Sequence, residues 1–197
     1  MPIRIAVEQF YQVFIDSDVQ IVAAAGNDGP QEDGNPHPAR YPAAFENVLG
    51  VGAIERDGTR AGYSNLADNL PSDGVVVFGG KGNPHVAQRR VNGNPPKKWS
   101  RTDAADGILG LYVGKFPVVN PITGEIDRNS STPSAHGWGR WSGTSFASAV
   151  MSGILAAAAA GGCTISLQKS GSIIETLRQD SPERTEFDEL IINVQQG

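Results

Sequence analysis

The chain has 197 residues, enough for one domain with a substantial core, and its 39% hydrophobic and 19% charged content excludes a disordered chain. A net charge of −5 gives no footing for nucleic acid or an anionic membrane surface. Cys163 is the only cysteine, which excludes an intrachain disulfide and any CxxC metal or redox motif, while 24 Gly and 13 Pro predict long, turn-rich loops.

Ile3, Val7, Phe10 and Phe14 recur at helical spacing, so the first segment reads as an amphipathic helix, ended by Asp16, Ser17 and Asp18. Its charges come too early for a signal-peptide core. VQIVAAAGN then forms a continuous apolar strand closed by the turn NDGP. A Pro-rich loop, QEDGNPHPARYPAAF, leads to a second strand, VLGVGAI at 48–54. RDGTRAGYSN turns back, with Asp57, Gly58 and Thr59 in the turn itself, and VVVFGG at 75–80 makes a third strand. Strands that are continuously apolar imply a sheet buried on both faces, as in α/β folds.

Residues 81–138 differ from the rest, being rich in Gly, Pro and Asn with one strand-like patch, ILGLYV at 108–113. Within them QRRVNGNPPKKWSR gathers Arg89, Arg90, Lys97, Lys98 and Arg101 beside Trp99, which in an acidic chain reads as a solvated loop. From Trp141 to Gln168 no residue is charged, a length that would cross a bilayer. The segment is mostly Ala, Gly, Ser and Thr, however, and that composition predicts a buried core helix over 145–160, stopped by Gly161 and Gly162. A further helix around 168–179 and the strand-like FDELIINV complete the chain.

Two short stretches carry chemistry. In GRWSGTSFASAVMSG (139–153), Ser145 follows a Gly-Thr turn and opens the long helix. A serine there has an unpaired backbone N–H and the positive end of the helix dipole beside it, both suited to an oxyanion. The same pattern fits an ordinary Ser N-cap. In VAAAGNDG, Asn27 stands just past the end of a buried strand, where α/β sheets place ligand sites. Its amide suits an oxyanion donor, and Asn-Asp-Gly suits an ordinary turn equally well.

Together these stretches resemble subtilisin-like serine peptidases (subtilases). GTSFASAVMSG at 143–153 resembles the family's nucleophile signature, and AAAGNDG at 23–29 its oxyanion-asparagine segment. ARYPAAFENVLGVGAI (39–54) and RAGYSN (60–65) resemble the intervening strand and Ser-Asn turn in the right order. VVVFGG stands where the family usually has a strand ending in Ala-Pro-Gly, and Ala149 where it usually has Pro. The resemblance implies a three-layer α/β fold with a mostly parallel sheet, incomplete on its N-terminal side. Residues 1–197 would be the C-terminal part of one catalytic domain, with an insertion at about 81–138.

The resemblance also implies roles. Ser145 would be the nucleophile and Asn27 an oxyanion donor, with Ala24, Ala25 and Gly26 along one wall of the substrate pocket. The family order is Asp, His, then Ser, yet no segment here resembles Asp-Ser/Thr-Gly or His-Gly-Thr. His37, His85 and His136 all read as loop histidines. The base and its orienting carboxylate are therefore expected outside this chain, in a missing N-terminal half. The partner would be a peptide or protein substrate, not nucleic acid or membrane. Secretion is the family habit. No cofactor is evident; some subtilases bind calcium, but no acidic cluster here has a calcium-loop spacing. The function implied is serine endopeptidase chemistry through an acyl-enzyme, the alternative being an inactive subtilase remnant that serves as a binding or structural module. An α/β-hydrolase elbow is excluded by Ala147 in place of the second Gly, and a dinucleotide-binding fold by the lack of Gly-x-Gly-x-x-Gly.

Overall fold

The computed structural model describes residues 9–11, 13–14, 19–46, 48–67, 74–81, 106–113, 115–119, 126–133, 137–162, 183–186 and 188–192. Four strands, β1 (Ile21–Ala24), β2 (Val48–Ile54), β3 (Val75–Phe78) and β8 (Leu190–Ile192), form one sheet in the order β1-β2-β3-β8. All three pairings are parallel. Every residue of β2 is buried, as a strand with no polar side chain requires when it is covered on both faces. The architecture is α/β with a mostly parallel sheet, as the sequence predicts.

Helix α1 (Thr144–Ala160) covers one face. Ala147, Met151 and Leu155, one row at i+4 spacing, bury themselves against Leu49, Val51, Ala53, Val75, Val77, Leu190 and Ile192. Burying Met151 and Leu155 stabilises the fold by about 1.5–3 kcal/mol each. The helix stops where Gly161 donates its N–H to Ala157 O and Gly162, at φ +84°, donates to Ala159 O. The core helix expected over 145–160 is buried along one side only. Ala149, Ser152, Gly153, Ala156 and Ala157 lie on an exposed face, since side chains this small pack closely without a wide apolar stripe. No helix among the described residues is long and apolar enough to cross a membrane.

Among the described residues the opposite face is covered mainly by loop segments. Ala23 and Val48 pack with Ala39, Ala43 and Phe45, and Ile54, Val76 and Ile191 pack with Ala67. Two glycines of VLGVGAI make this possible. A Cβ at Gly50 would sit 1.7 Å from Ala67 O, and one at Gly52 would sit 3.2 Å from Ser64 Oγ. The segment 61–67 therefore lies directly on β2.

Residues 9–11 and 13–14 are helical, but the face differs from the predicted one. Tyr11 makes the inward contact, edge-on to Phe45 at 5.5 Å, while Phe10 and Phe14 pack on each other and stay exposed. Beyond β3, two antiparallel ribbons form: β4 (Ile108–Leu111) with β7 (Trp138–Trp141), and β5 (Lys115–Val119) with β6 (Ile126–Pro133). The sequence pointed only to the first of these strands, because β6, IDRNSSTP, has almost no strand-forming residues. His85, the basic cluster at 88–101, His136, Cys163 and the helix expected around 168–179 lie outside the described residues.

Candidate active site

The chain leaves β1 through Ala25, whose N–H still bonds Val51 O at 3.0 Å, and then turns at Gly26 with φ +119°. Asn27 follows at the carboxyl end of the strand, exposed, and its carboxamide reaches the start of α1. Its Oδ1 accepts the Thr144 N–H and the Thr144 hydroxyl, each at 2.9 Å. Thr144 Oγ1 in turn accepts the Gly26 N–H at 3.2 Å. With Oδ1 committed twice, Nδ2 is the end of the amide left to donate. It lies 3.4 Å from where a Cβ on Gly143 would be, so the absence of that side chain keeps the approach open.

At the helix start the N-cap is Gly143, at φ 143° and ψ 158°, not Ser145. Gly143 N–H donates to Gly79 O at 3.0 Å, and Gly143 O accepts from Phe146 and Ala147. Thr144 N–H goes to Asn27, so Asn27 supplies from the loop after β1 the cap that the helix lacks locally. The N–H of Ser145 has no acceptor among the described residues, and it sits in the first turn, where the helix dipole favours negative charge. Ser145 is exposed, and its Oγ makes no hydrogen bond among the described residues. The N-cap alternative is thereby overturned: Ser145 is the second residue of the helix, and its side chain caps nothing. A hydroxyl and an N–H without partners among the described residues, at a helix end where the Asn27 amide is anchored, suit a nucleophile near two oxyanion donors.

Residues 3–162 match the subtilase family model. The chain belongs to the subtilase family. Subtilisin DY of Bacillus licheniformis is 33% identical over 106 residues, which are 53% of this chain and 36% of that protein. The chain thus spans about a third of the length of this relative. Among solved structures, a protease of Pseudoalteromonas arctica shares the fold with a TM-score of 0.50 at 22% identity, covering 94% of this chain and 44% of that one. The PatG macrocyclase in complex with peptide aligns with a TM-score of 0.47 at 22% identity, over 89% of this chain and 37% of that one.

Of the other residues to which the subtilase resemblance gives a role, Ala24 and Gly26 keep part of their surface exposed, and Ala25 keeps none. His37 accepts the Leu66 N–H through its backbone oxygen, at 2.8 Å. Among the described residues no three His, Cys, Asp or Glu side chains converge as a metal cage. Asp28 is bound to Arg40 and Asn65, Asp57 to Thr59, and Asp106 to Arg56, so these carboxylates already have partners.

Three supports of this candidate site rest on long-range contacts that no short motif announces. The Tyr63 hydroxyl lies 2.9 Å from Gly79 O and 2.7 Å from Gly80 O, beneath the turn that delivers Ser145. Burial pushes its pKa up, keeping the hydroxyl a neutral donor. Asn65 grips the loop around Asn27 from both sides. Phe146, next to Ser145, stacks on Trp141 with ring centroids 5.6 Å apart, and Tyr112 meets Trp141 edge-on at 5.4 Å. Gly110 leaves room for that indole, 3.2–3.3 Å from its own Cβ position. The β4–β7 ribbon therefore ends in an aromatic cluster beside the serine.

Proposed function

We propose that this chain carries the nucleophile and the oxyanion hole of a subtilisin-like serine endopeptidase. Ser145 Oγ attacks the peptide carbonyl, and Asn27 Nδ2 and the Ser145 N–H donate to the oxyanion that forms. A histidine supplied from outside this chain takes the serine proton and an aspartate orients it, the order of events common to serine triads. The collapse of the tetrahedral intermediate expels the amine and leaves an acyl-Ser145 that water then hydrolyses. Ala24, Ala25 and Gly26 form one wall for the residue before the scissile bond, Ala25 through its fixed place beneath the other two. The substrate is a peptide or protein, and release outside the cell fits the family habit. Calcium, a ligand of some subtilases, enters no step.

The observation that supports this reading is the pair of hydrogen bonds from Thr144 to Asn27 Oδ1, which leaves Nδ2 to donate near the first turn of the helix that carries Ser145. The second reading, an inactive remnant that binds rather than cuts, draws on the bare Ser145 Oγ, which has no histidine partner among the described residues. One experiment separates them. The chain is mixed with an Asp- and His-bearing N-terminal half of a subtilase catalytic domain and assayed on a chromogenic peptide. Cleavage that appears only in the mixture and disappears in Ser145→Ala supports the endopeptidase. Tight association of the halves without cleavage supports the remnant.

A further inference from the structure

Asn27 is exposed, yet both residues flanking it are tied to a single buried one. Asn65 has no exposed surface. Its N–H donates to Gly26 O at 3.0 Å, its Oδ1 accepts the Asp28 N–H at 2.9 Å, and its Nδ2 donates to Asp28 Oδ2 at 2.6 Å and to Pro38 O at 3.1 Å. One residue thus holds the peptide units on either side of Asn27 and uses every polar atom of its carboxamide in doing so. Gly26 completes the fit, since a Cβ there would come within 2.6 Å of Asn65 Nδ2. Asn65 is held in its turn. Arg60 donates to Asn65 O at 2.6 Å and Ser64 O at 3.2 Å, and pairs with Glu189, which precedes β8. Glu189 also accepts the Ala67 N–H at 2.6 Å.

We infer that Asn65, braced by the buried Arg60–Glu189 pair, is a positioning residue that fixes the backbone from which the Asn27 amide reaches Thr144. The inference deepens the endopeptidase reading, on which its catalytic meaning rests, but the geometry is testable without catalysis. Nothing in a hairpin or turn rule requires a fully buried Asn whose side chain spans 37 residues of sequence to one loop. A hydrophobic residue would fill the volume at no polar cost. What the amide adds is a fixed orientation for residues 26–28, and hence for the one exposed side chain among them that faces α1.

The test is made on the whole isotope-labelled chain by NMR, with the Asn27 side-chain amide signals identified by their loss in Asn27→Ala. In the unaltered chain, the Asn27 Nδ2 protons are expected to show a nuclear Overhauser contact with Gly143 Hα, and the Asp28 N–H to exchange slowly with solvent. In Asn65→Ala, and in Asn65→Asp, which keeps the volume but sets a carboxylate against Asp28, that contact is expected to disappear. The backbone signals of β2 and β3 should stay in place. An Asn27 contact unchanged in either folded variant overturns the inference. So does fast Asp28 exchange in the unaltered chain, a measurement that stands even if both variants fail to fold. None of these readouts depends on peptide cleavage, so an inactive mixture in the preceding experiment leaves them intact.

Discussion

Asn27 and Thr144, 117 positions apart in sequence, form a two-bond latch: Asn27 Oδ1 takes both the N–H and the hydroxyl of Thr144, at 2.9 Å each. The latch caps the helix N-terminus and aims the amide in the same act. Thr144 is wholly buried, and its hydroxyl also accepts from Gly26 N. Thr144→Val keeps the shape but leaves Gly26 N–H without a partner and Asn27 Oδ1 with one instead of two. The expected cost is about 1–3 kcal/mol. Thr144→Ser keeps every hydrogen bond and should lose only the buried methyl, about 1 kcal/mol. Urea unfolding of the two variants checks this, and equal midpoints would show that the hydroxyl is not engaged.

Glycines separate two further outcomes. Gly50→Ala drives a methyl into Ala67 O, a backbone atom 1.7 Å away, so the segment 61–67 must lift off β2 and carry Asn65 with it. Loss of folding, or a destabilisation above about 4 kcal/mol, is expected. Gly153 sits mid-helix on the exposed face of α1 with open space around its Cβ position. Gly153→Ala should therefore raise stability by about 0.5–1 kcal/mol. Thermal unfolding of both variants is sufficient, and the two substitutions moving in the same direction would contradict the packing described.

The contrast between these glycines marks how far the sequence alone reaches. β2 appears with its predicted limits, and α1 ends at the predicted glycines, because an unbroken apolar run and a Gly-Gly stop are local signals. Ser145 and Asn27 were likewise legible as candidates, each from a short motif. What favours their catalytic reading over the bland one is not local. The latch joins residue 27 to residue 144, and Glu189 reaches back to Ala67 across 122 residues. No spacing rule encodes such pairs. The inward role of Tyr11 was missed for a related reason, since helical periodicity gives a face but not its rotation toward Phe45.

Acid should loosen the site before it unfolds the core. The Arg40 hydrogen bond, helped by that of Asn65 and partly opposed by burial, holds the Asp28 carboxyl below its ordinary value of 3.8. A lowered carboxylate pKa means that the folded state binds its proton less readily than the unfolded one. Its contribution to stability is thus complete above the ordinary value and is lost as pH falls through the folded one. Because the ion pair is partly exposed, the effect is modest and weakened by salt. The Asn27 and Asp28 signals should shift below about pH 4 while those of β2 hold. Asp28→Asn should abolish the pH dependence, and its persistence in that variant would place the titration elsewhere.

On peptide substrates the isolated chain should be almost inert, because an unassisted serine hydroxyl is a poor nucleophile. In subtilisin, the reference case for the magnitude, removing the serine or the histidine alone costs about 2 × 10⁶ in turnover. Only the oxyanion donors and binding remain to help. Cleavage of a chromogenic peptide by the purified chain should accordingly be indistinguishable from that of Ser145→Ala. Robust activity lost in Ser145→Ala would reveal a base within this chain.

The last expectation follows from what is left uncovered. α1 presents Ala149, Gly153, Ala156 and Ala157 to solvent, and one face of the β4–β7 ribbon carries Leu109, Leu111 and Trp138, with Val113 exposed just past β4. Opposed pairs in an antiparallel ribbon share a face, so Leu111 and Trp138, directly across from each other, form an apolar patch beside Leu109, whose own partner is the exposed Arg140. Among the described residues β1 and β8 are the outermost strands of the main sheet; residues 183–185 run along the outer side of β8, where Ile191 N–H donates to Glu183 O at 3.1 Å, and β1 is left as the edge strand. Exposed apolar faces and an open edge both favour association. The purified chain should therefore self-associate as its concentration rises, and sedimentation velocity across a dilution series measures this directly. Leu111→Lys should weaken the association if the ribbon face drives it, whereas Ala156→Lys should do so if α1 does. A clean monomer at all concentrations, unfolding in one sharp and reversible transition, would mean that these surfaces are stable in water as they stand.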